Sequence, residues 1–314
     1  MDEQHLIVDN RRVMVRDTGD RDGEAVLYFH GSPGCRLDVS FGDEVARRMG
    51  IRVVSFDRPG FGRSDPSPFS LKSIALDAGL VVDALGLDRF STLGWSGGGP
   101  FALAVAATLG ERVVRVGVAS GPGPFQQVPG ALEQMGEDDR RALSLLPDDP
   151  AGAAEAFSVG SELMVSARDD ETTLLSGMEA LLGGTDAYVF ADPVLRHHLF
   201  TMISEGLRQG FGGVAWDNVA WVGPWGVDIT EVLAPVNLWY GGADPMIAVD
   251  HGRWLVDHLP LADLKVFPGE GHLHLFRHWN QILGEFTRPA GADDGLGNSR
   301  SGAASECQDC DVVL

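Results

Sequence analysis

The sequence is short of cysteine and of basic residues, and each shortage excludes a class of protein. Three cysteines among 314 residues are too few for the disulfide framework of a small secreted protein. Lys and Arg total 24 against 45 Asp and Glu, which gives a net charge of −21. Nucleic acids and anionic membranes are bound through clustered Lys and Arg. We therefore expect neither as a partner.

The sequence also has no apolar run that approaches the ~20 residues of a membrane span. The N-terminal residues Met-Asp-Glu-Gln-His do not form the basic stretch and apolar run of a secretion signal. Together these two observations predict a cytoplasmic protein.

Metal ligands are equally scarce. His274 and His278 stand four residues apart, but no matching set of Asp, Glu or Cys accompanies them. Cys307 and Cys310 form one Cys-x-x-Cys pair without a second, and we interpret Cys35 as a small buried filler. We expect no metal and no cofactor, and a small molecule as the substrate.

A serine at position 96 lies in the pattern of a nucleophile elbow. Residues 93–100 read Leu-Gly-Trp-Ser-Gly-Gly-Gly-Pro, with a strand-like run before them and a helix-like run after them. The glycines leave room for a sharp turn from strand to helix. Such a turn exposes the serine hydroxyl at the end of a sheet, and it places the N–H of Gly97 beside it as an oxyanion donor. The pattern predicts Ser96 as a nucleophile.

A serine hydroxyl needs a base, and the base needs an orienting acid. Residues 235–242 resemble a buried strand that ends in a turn, and Asp244 follows at once. Residues 264–267 repeat this plan, and His272 follows after Pro-Gly-Glu-Gly. The order Ser, Asp, His, with each residue after a strand, predicts Asp244 as the acid and His272 as the base.

A second oxyanion donor is predicted after an earlier strand. Residues 25–29 form that strand, and the loop His-Gly-Ser-Pro-Gly follows at 30–34. Since proline has no N–H, the backbone N–H of Ser32 is the predicted donor. We interpret His30 as a loop-bracing residue that bonds to the backbone.

The strands alternate with helical patterns, which predicts an α/β fold with a mostly parallel central sheet and helices on both faces. Strand signals cease between about residues 122 and 228, where we predict an inserted helical cap over the site. The core then comprises residues 1–121 and 229–288, and residues 289–314 have the composition of a disordered tail.

Aromatic residues are concentrated late in the predicted cap and beside the nucleophile. Apolar pockets with a few polar groups are typical of small-molecule sites. The predicted substrate-binding residues are Trp95, Phe190, Trp216 and Trp221.

Five motifs together resemble the α/β-hydrolase superfamily. They are His30-Gly-Ser-Pro-Gly, Asp57-Arg-Pro-Gly-Phe-Gly-Arg-Ser64, Gly-Trp-Ser96-Gly-Gly, Asp244 and Gly-His272. The first two are similar to the branch that contains proline iminopeptidases and many small esterases. The resemblance implies an α/β-hydrolase fold with a helical cap and a serine hydrolase activity. Iminopeptidases usually carry Gly-Gly-Ser-Trp-Gly at the nucleophile, and this sequence departs from that pattern.

These residues predict attack of Ser96 on a carbonyl carbon and hydrolysis through an acyl-enzyme. The first hypothesis is a carboxylic-ester hydrolase for a small or medium apolar substrate. The second is a prolyl aminopeptidase or amidase, which needs a cap carboxylate for the substrate ammonium group; Glu133, Glu137, Glu162 and Glu205 are available. A carbon–carbon bond hydrolase or lactonase is a third, and a binding protein that has lost the chemistry is a fourth.

Overall fold

The computed structural model describes residues 2–287, so the predicted tail with Cys307 and Cys310 lies outside the described residues. Eight strands within the described residues form one sheet. In chain order they are β1 (Asp2–Val8), β2 (Arg11–Gly19), β3 (Glu24–Phe29), β4 (Ile51–Phe56), β5 (Phe90–Trp95), β6 (Val113–Ala119), β7 (Val236–Gly241) and β8 (Ala262–Phe267).

The spatial order of the strands is β1-β2-β4-β3-β5-β6-β7-β8. β2 pairs antiparallel with both β1 and β4, and the remaining neighbours are parallel. The predicted mostly parallel sheet is therefore confirmed, and its β1–β2 edge is antiparallel. Because the carboxyl ends of parallel strands meet at one edge, the loops after β3, β5, β7 and β8 converge there.

Local sequence explains how the chain enters this sheet. Asp9 and Asn10 connect β1 to β2 with φ of 46° and 60°, the two positive values that a tight hairpin turn requires. Asn and Asp adopt this conformation more readily than other non-glycine residues. β5 is buried along its whole length, as expected for a parallel strand covered on both faces.

The helices before the insertion are α1 (Asp43–Arg48), α2 (Leu71–Ala84) and α3 (Gly99–Leu109). Ser70, the N-cap of α2, accepts a hydrogen bond from Ser73 N at 3.2 Å, and Ser73 Oγ accepts one from Ser70 N at 2.9 Å. This reciprocal capping fixes where α2 begins.

Residues 122–228 connect β6 to β7 through helices and turns, without a strand. The helices are α4 (Ala131–Gln134), α5 (Glu137–Leu143), α6 (Pro150–Phe157), α7 (Glu162–Ser166), α8 (Glu171–Leu182), α9 (Ala187–Ala191), α10 (Pro193–Gly206) and α11 (Gly212–Val222). We call residues 122–228 the inserted segment. After it, α12 (Val249–His258) follows β7 and α13 (His274–Phe286) follows β8.

The inserted segment has a small core of its own and also joins the main one. Buried side chains of α5, α6 and α11 pack together, among them Leu143 and Phe157. Other residues of the segment, such as Val189 and Leu199, belong to the main hydrophobic core. No helix within residues 2–287 combines the length and the apolar character needed to cross a bilayer.

Candidate active site

The nucleophile elbow follows from close backbone contacts at the end of β5. Ser96 has φ of +52°, a strained conformation for a non-glycine residue, and α3 begins three residues later. A Cβ on Gly94 would lie 2.3 Å from Gly98 O, and a Cβ on Gly98 would lie 2.1 Å from Phe29 O. Only glycine fits at these two positions, so the turn depends on them.

The structure brings Ser96, His272 and Asp244 together from three different loops. His272 Nε2 lies 2.9 Å from Ser96 Oγ, and His272 Nδ1 lies 2.7 Å from Asp244 Oδ2. The side chains of His272 and Asp244 are 5% and 0% exposed. With Asp244 ionised, the imidazole hydrogen is on Nδ1, which leaves Nε2 free to accept the Ser96 proton.

The charges around this pair stabilise the imidazolium that forms when His272 accepts a proton. Burial alone would lower the pKa of His272, but the charges of Asp244 and Asp186 and the bond to Asp244 raise it above its ordinary value. Burial would likewise raise the pKa of Asp244, and His272 lowers it instead. Asp244 Oδ1 also accepts the N–H groups of Met246 and Ile247 at 2.8 and 3.0 Å. The acid is therefore held in place on both oxygens.

The two predicted oxyanion donors lie on facing loops beside the nucleophile. A Cβ on Gly97 would lie 3.1 Å from Ser32 Cβ, so the loop after β3 directly adjoins the start of the elbow. The peptide between Ser32 and Pro33 is cis. Ser32 and Gly97 as oxyanion donors remain a prediction, which this proximity supports.

A buried ion pair braces the loop that carries Ser32. Arg58 donates to Asp217 of α11 at 2.8 and 2.5 Å, and both side chains are fully buried. The same guanidinium donates to His30 O at 2.8 Å and Gly31 O at 3.3 Å. His30 Nδ1 donates to Gly31 O at 2.7 Å, while Nε2 accepts from Arg58 N at 3.2 Å. These contacts agree with the interpretation of His30 as a bracing residue.

A second carboxylate from the inserted segment holds the loop of the base, and sequence analysis missed it. Asp186 is fully buried and accepts the N–H groups of His272 at 2.9 Å and Leu273 at 3.0 Å. A Cβ on Gly271 would lie 2.2 Å from Asp186 Oδ2, so glycine is required for this approach. In sequence, Asp186 resembles only an acidic residue before a short helix. The contact spans 86 residues, and no local pattern signals it.

The four aromatic residues predicted to bind substrate occupy different environments. Trp95 is 4% exposed, and its Nε1 donates to His272 O at 3.3 Å, so its indole packs behind the base. Phe190 is 6% exposed within the main core. Trp216 lines a cavity of about 320 Å³ beside residues 59–68, and Trp221 lines one of about 190 Å³. Trp221 adjoins Gly97, since a Cβ on Gly97 would lie 3.3 Å from Trp221 Nε1, whereas the cavity at Trp216 is lined by none of the other predicted site residues. All four residues remain predictions as substrate contacts.

No group of three His, Cys, Asp or Glu side chains within residues 2–287 is arranged to hold a metal ion. His274 Nε2 lies 3.1 Å from Ser120 Oγ, and the ring of His278 stacks on Phe267 with centroids 3.8 Å apart. Cys35 is a buried free thiol. In the described part of the chain, these residues therefore have packing or hydrogen-bonding partners of their own.

Comparison with known proteins identifies the fold family of this chain. Residues 24–278 match the family model described as the alpha/beta hydrolase fold. The chain is 29% identical over 288 residues to the 2-hydroxy-6-oxononadienedioate/2-hydroxy-6-oxononatrienedioate hydrolase of Burkholderia vietnamiensis, a match that covers 88% of this chain and 91% of that protein. It is 29% identical over 277 residues to the 2-hydroxy-6-oxo-6-phenylhexa-2,4-dienoate hydrolase of Burkholderia cepacia, covering 86% and 87% of the two chains.

Among solved structures, the enol-lactonase from Burkholderia xenovorans LB400 superimposes with a TM-score of 0.66. The match covers 90% of this chain and 99% of that one, at 16% sequence identity. At this identity the likeness concerns the fold alone.

Proposed function

The chain belongs to the α/β-hydrolase fold family, and from that premise we propose that it is a serine hydrolase that cleaves a carbon–carbon bond beside a ketone. The observation that carries the proposal is the hydrogen-bonded series Ser96, His272 and Asp244. It supplies a nucleophile, a base and an orienting acid in the geometry that acyl transfer requires.

The choice of bond rests on what the relatives act on. The substrates in the names of the two Burkholderia hydrolases contain hydroxyl, ketone, alkene and carboxylate groups, and neither contains an ester or an amide. Hydrolysis of such a molecule must therefore break a carbon–carbon bond, and the bond beside the 6-oxo group joins the most electrophilic carbon. We transfer this reaction class, and not the particular substrate, to the present chain.

The reaction then follows in two halves. Ser96 Oγ attacks the ketone carbon while His272 Nε2 takes its proton, and the N–H groups of Ser32 and Gly97 stabilise the resulting oxyanion. For a 2-hydroxy-2,4-dienoate, the hydroxyl proton first shifts to the carbon beside the ketone, which makes that carbon saturated and the 2-position a second ketone. The carbon–carbon bond then breaks, its electron pair is delocalised through the remaining alkene onto this 2-oxo group, and His272 returns the proton to the carbon that left. Water, deprotonated by His272, hydrolyses the acyl-enzyme to a carboxylic acid and regenerates Ser96.

Ester hydrolysis, the first hypothesis from the sequence, is the second candidate. It needs the same three side chains, and His272 then protonates a leaving oxygen in place of a carbon. The observation that favours it is the cavity beside Trp221, which Phe125, Phe157 and Met246 line with apolar surface. An apolar acyl group fits such a wall.

The aminopeptidase hypothesis has less support from the contacts of the inserted segment. Glu205, one of the four carboxylates named for it, pairs with Arg36 at 3.0 Å and Arg63 at 2.8 Å. A carboxylate held by two guanidinium groups is a poor partner for a substrate ammonium group.

The test is a matched pair of hydrolysis assays on wild-type protein, Ser96→Ala and the control Ser176→Ala. Ser176 lies on α8 and donates to Thr173 O at 2.8 Å. With 2-hydroxy-6-oxo-6-phenylhexa-2,4-dienoate as a probe of this reaction class, we expect benzoate release that falls by about 10⁶ in Ser96→Ala and is unchanged in Ser176→Ala. Faster Ser96-dependent release from 4-nitrophenyl butyrate would select the ester reaction. Activity that survives in Ser96→Ala would refute both.

A further inference from the structure

The cavity beside Trp221 lies next to the nucleophile and contains polar groups that the proposed mechanism does not use. Its volume is about 190 Å³. Trp221 forms one wall, and a Cβ on Gly97 would lie 3.3 Å from Trp221 Nε1. Met246, whose N–H bonds to Asp244, forms another part of the wall. The cavity is therefore bounded by neighbours of both the nucleophile and the acid.

The indole N–H of Trp221 is a buried donor at this position. Within residues 2–287, no group accepts a hydrogen bond from Trp221 Nε1, and the atom is shielded from solvent. An unpaired buried donor is unfavourable. A ligand oxygen that accepts a hydrogen bond from this N–H would explain why an unpaired donor lies beside the nucleophile.

His251 is a second residue with an N–H group among those that line the same cavity. Its Nδ1 accepts the N–H of Gly123 at 3.0 Å, so the hydrogen of the neutral ring is on Nε2. Burial lowers the pKa of His251 to about 4, which keeps the ring uncharged at neutral pH. Phe125 packs against both Trp221 and His251, with centroids 5.6 and 5.1 Å away. The two donors thus border one aromatic surface.

The charge of the wall selects against anions. Asp139 contributes the only formally charged side chain among the described lining residues, and neither Lys nor Arg is among them. A carboxylate entering the cavity would lose water without gaining a cation and would meet Asp139. Burial of an uncharged carbonyl or hydroxyl oxygen avoids these two costs, and such an oxygen is a suitable acceptor for N–H donors.

We propose that this cavity binds an uncharged, ring-sized portion of the substrate that bears a carbonyl or hydroxyl oxygen, with Trp221 Nε1 as its donor. The size agrees, because a cavity of roughly 150 Å³ holds benzene. The inference rests on the proposed hydrolysis at Ser96, and it distinguishes this chain from a hydrolase for substrates charged at both ends.

Binding to the full-length Ser96→Ala protein tests the proposal without requiring turnover. Acetophenone and benzoate have similar shapes and differ in charge, so their affinities are compared by isothermal titration calorimetry. We expect acetophenone to bind at least tenfold more tightly than benzoate. Benzoate binding that is equal or tighter overturns the proposal, and so does failure of both compounds to bind.

Two further substitutions in the Ser96→Ala background assign the contacts. Trp221→Phe keeps an aromatic ring but removes the N–H, and we expect acetophenone affinity to fall about fivefold or more. Trp254→Phe is the matched control, because Trp254 stacks on His258 and is not among the lining residues. Equal affinities in the two variants would overturn the role of the Trp221 donor.

Asp139→Asn removes the one charged side chain among the described lining residues of the cavity. Because Asp139 is exposed, the substitution is not expected to impair folding. We expect it to strengthen benzoate binding at least threefold and to leave acetophenone binding unchanged; an unchanged benzoate affinity would overturn the role of charge. Labelling of wild-type Ser96 by a fluorophosphonate is measured separately. A protein that binds acetophenone selectively but is not labelled would refute the hydrolase function and leave the binding site standing.

Discussion

Replacing Asp186 by Asn removes one negative charge beside His272 and nearly preserves the size of the side chain. The carboxylate accepts two N–H groups, from His272 at 2.9 Å and Leu273 at 3.0 Å. Asn offers one carbonyl oxygen, so one of these buried N–H groups loses its acceptor and faces an amide NH₂. An unpaired buried donor costs about 1–3 kcal/mol. We expect the free energy of unfolding, measured in urea, to fall by about that amount.

The lost charge has a separate effect on the pH dependence of hydrolysis. Burial lowers the pKa of His272, whereas Asp244 and Asp186 raise it, so removal of the Asp186 charge must lower it. His272 has to be neutral to accept the Ser96 proton, and kcat/KM therefore falls as pH drops through this pKa. The acidic limb of the kcat/KM profile is expected to move to lower pH in Asp186→Asn. A displaced imidazole that costs about 1.4 kcal/mol would also reduce kcat about tenfold.

Asp192→Asn is the control for this experiment. Asp192 Oδ1 accepts the N–H groups of Val194 and Leu195 at 2.8 and 3.2 Å at the start of α10, and it is exposed. Since Asn caps helices about as well as Asp, we expect little loss of stability and an unmoved acidic limb. An acidic limb at the same pH in Asp186→Asn and wild type would refute the electrostatic part of the reasoning. A limb displaced to higher pH would mean that the charge of Asp186 lowers the pKa of His272, which is opposite to the expected effect.

Two further substitutions test the backbone and ionic contacts around the site. Asp217→Ala leaves Arg58 buried without its carboxylate, and we expect the free energy of unfolding to fall by about 3–5 kcal/mol; a loss below about 1 kcal/mol in urea would contradict the importance of the pair. Gly98→Ala would place a Cβ 2.1 Å from Phe29 O, so we expect a strongly lowered melting temperature. Gly177→Ala, in α8 with no atom within 4 Å of the added Cβ, is the matched control and should stabilise by roughly 0.5–1 kcal/mol. Equal melting temperatures for the two glycine variants would refute the packing argument.

The sheet and the meeting of Ser96, Asp244 and His272 were predictable because their signals are local in sequence. Ser96 stands between glycines at a strand–helix junction, and Asp244 and His272 each follow an apolar strand and a turn. Parallel strand order then brings the loops to one edge, where the structure places the hydrogen bonds between them. Local pattern and topology together are enough to predict such a site.

The contacts of the inserted segment could not be predicted in the same way. Asp217 lies 159 residues from Arg58 in sequence, and its partner is set by how α11 packs. Trp95 shows that a local position can also mislead. Its place beside Ser96 in the sequence suggested a substrate contact, but its indole N–H donates to His272 O. Which face a side chain presents is decided by tertiary packing, and the sequence of one chain does not specify it.

The inserted segment therefore has two physical roles that differ in their consequences. Through Trp221 it borders Gly97 and the predicted nucleophile, where we expect changes to alter which substrate fits. Through Asp186 and Asp217 it holds the loops of the base and of Ser32, where changes alter the geometry of catalysis itself. A replacement of residues 122–228 by the corresponding segment of another hydrolase would change specificity alone only if both carboxylates were retained. Without them, the buried N–H groups of the base loop and the guanidinium of Arg58 would lose their acceptors, and activity would fall whatever the substrate.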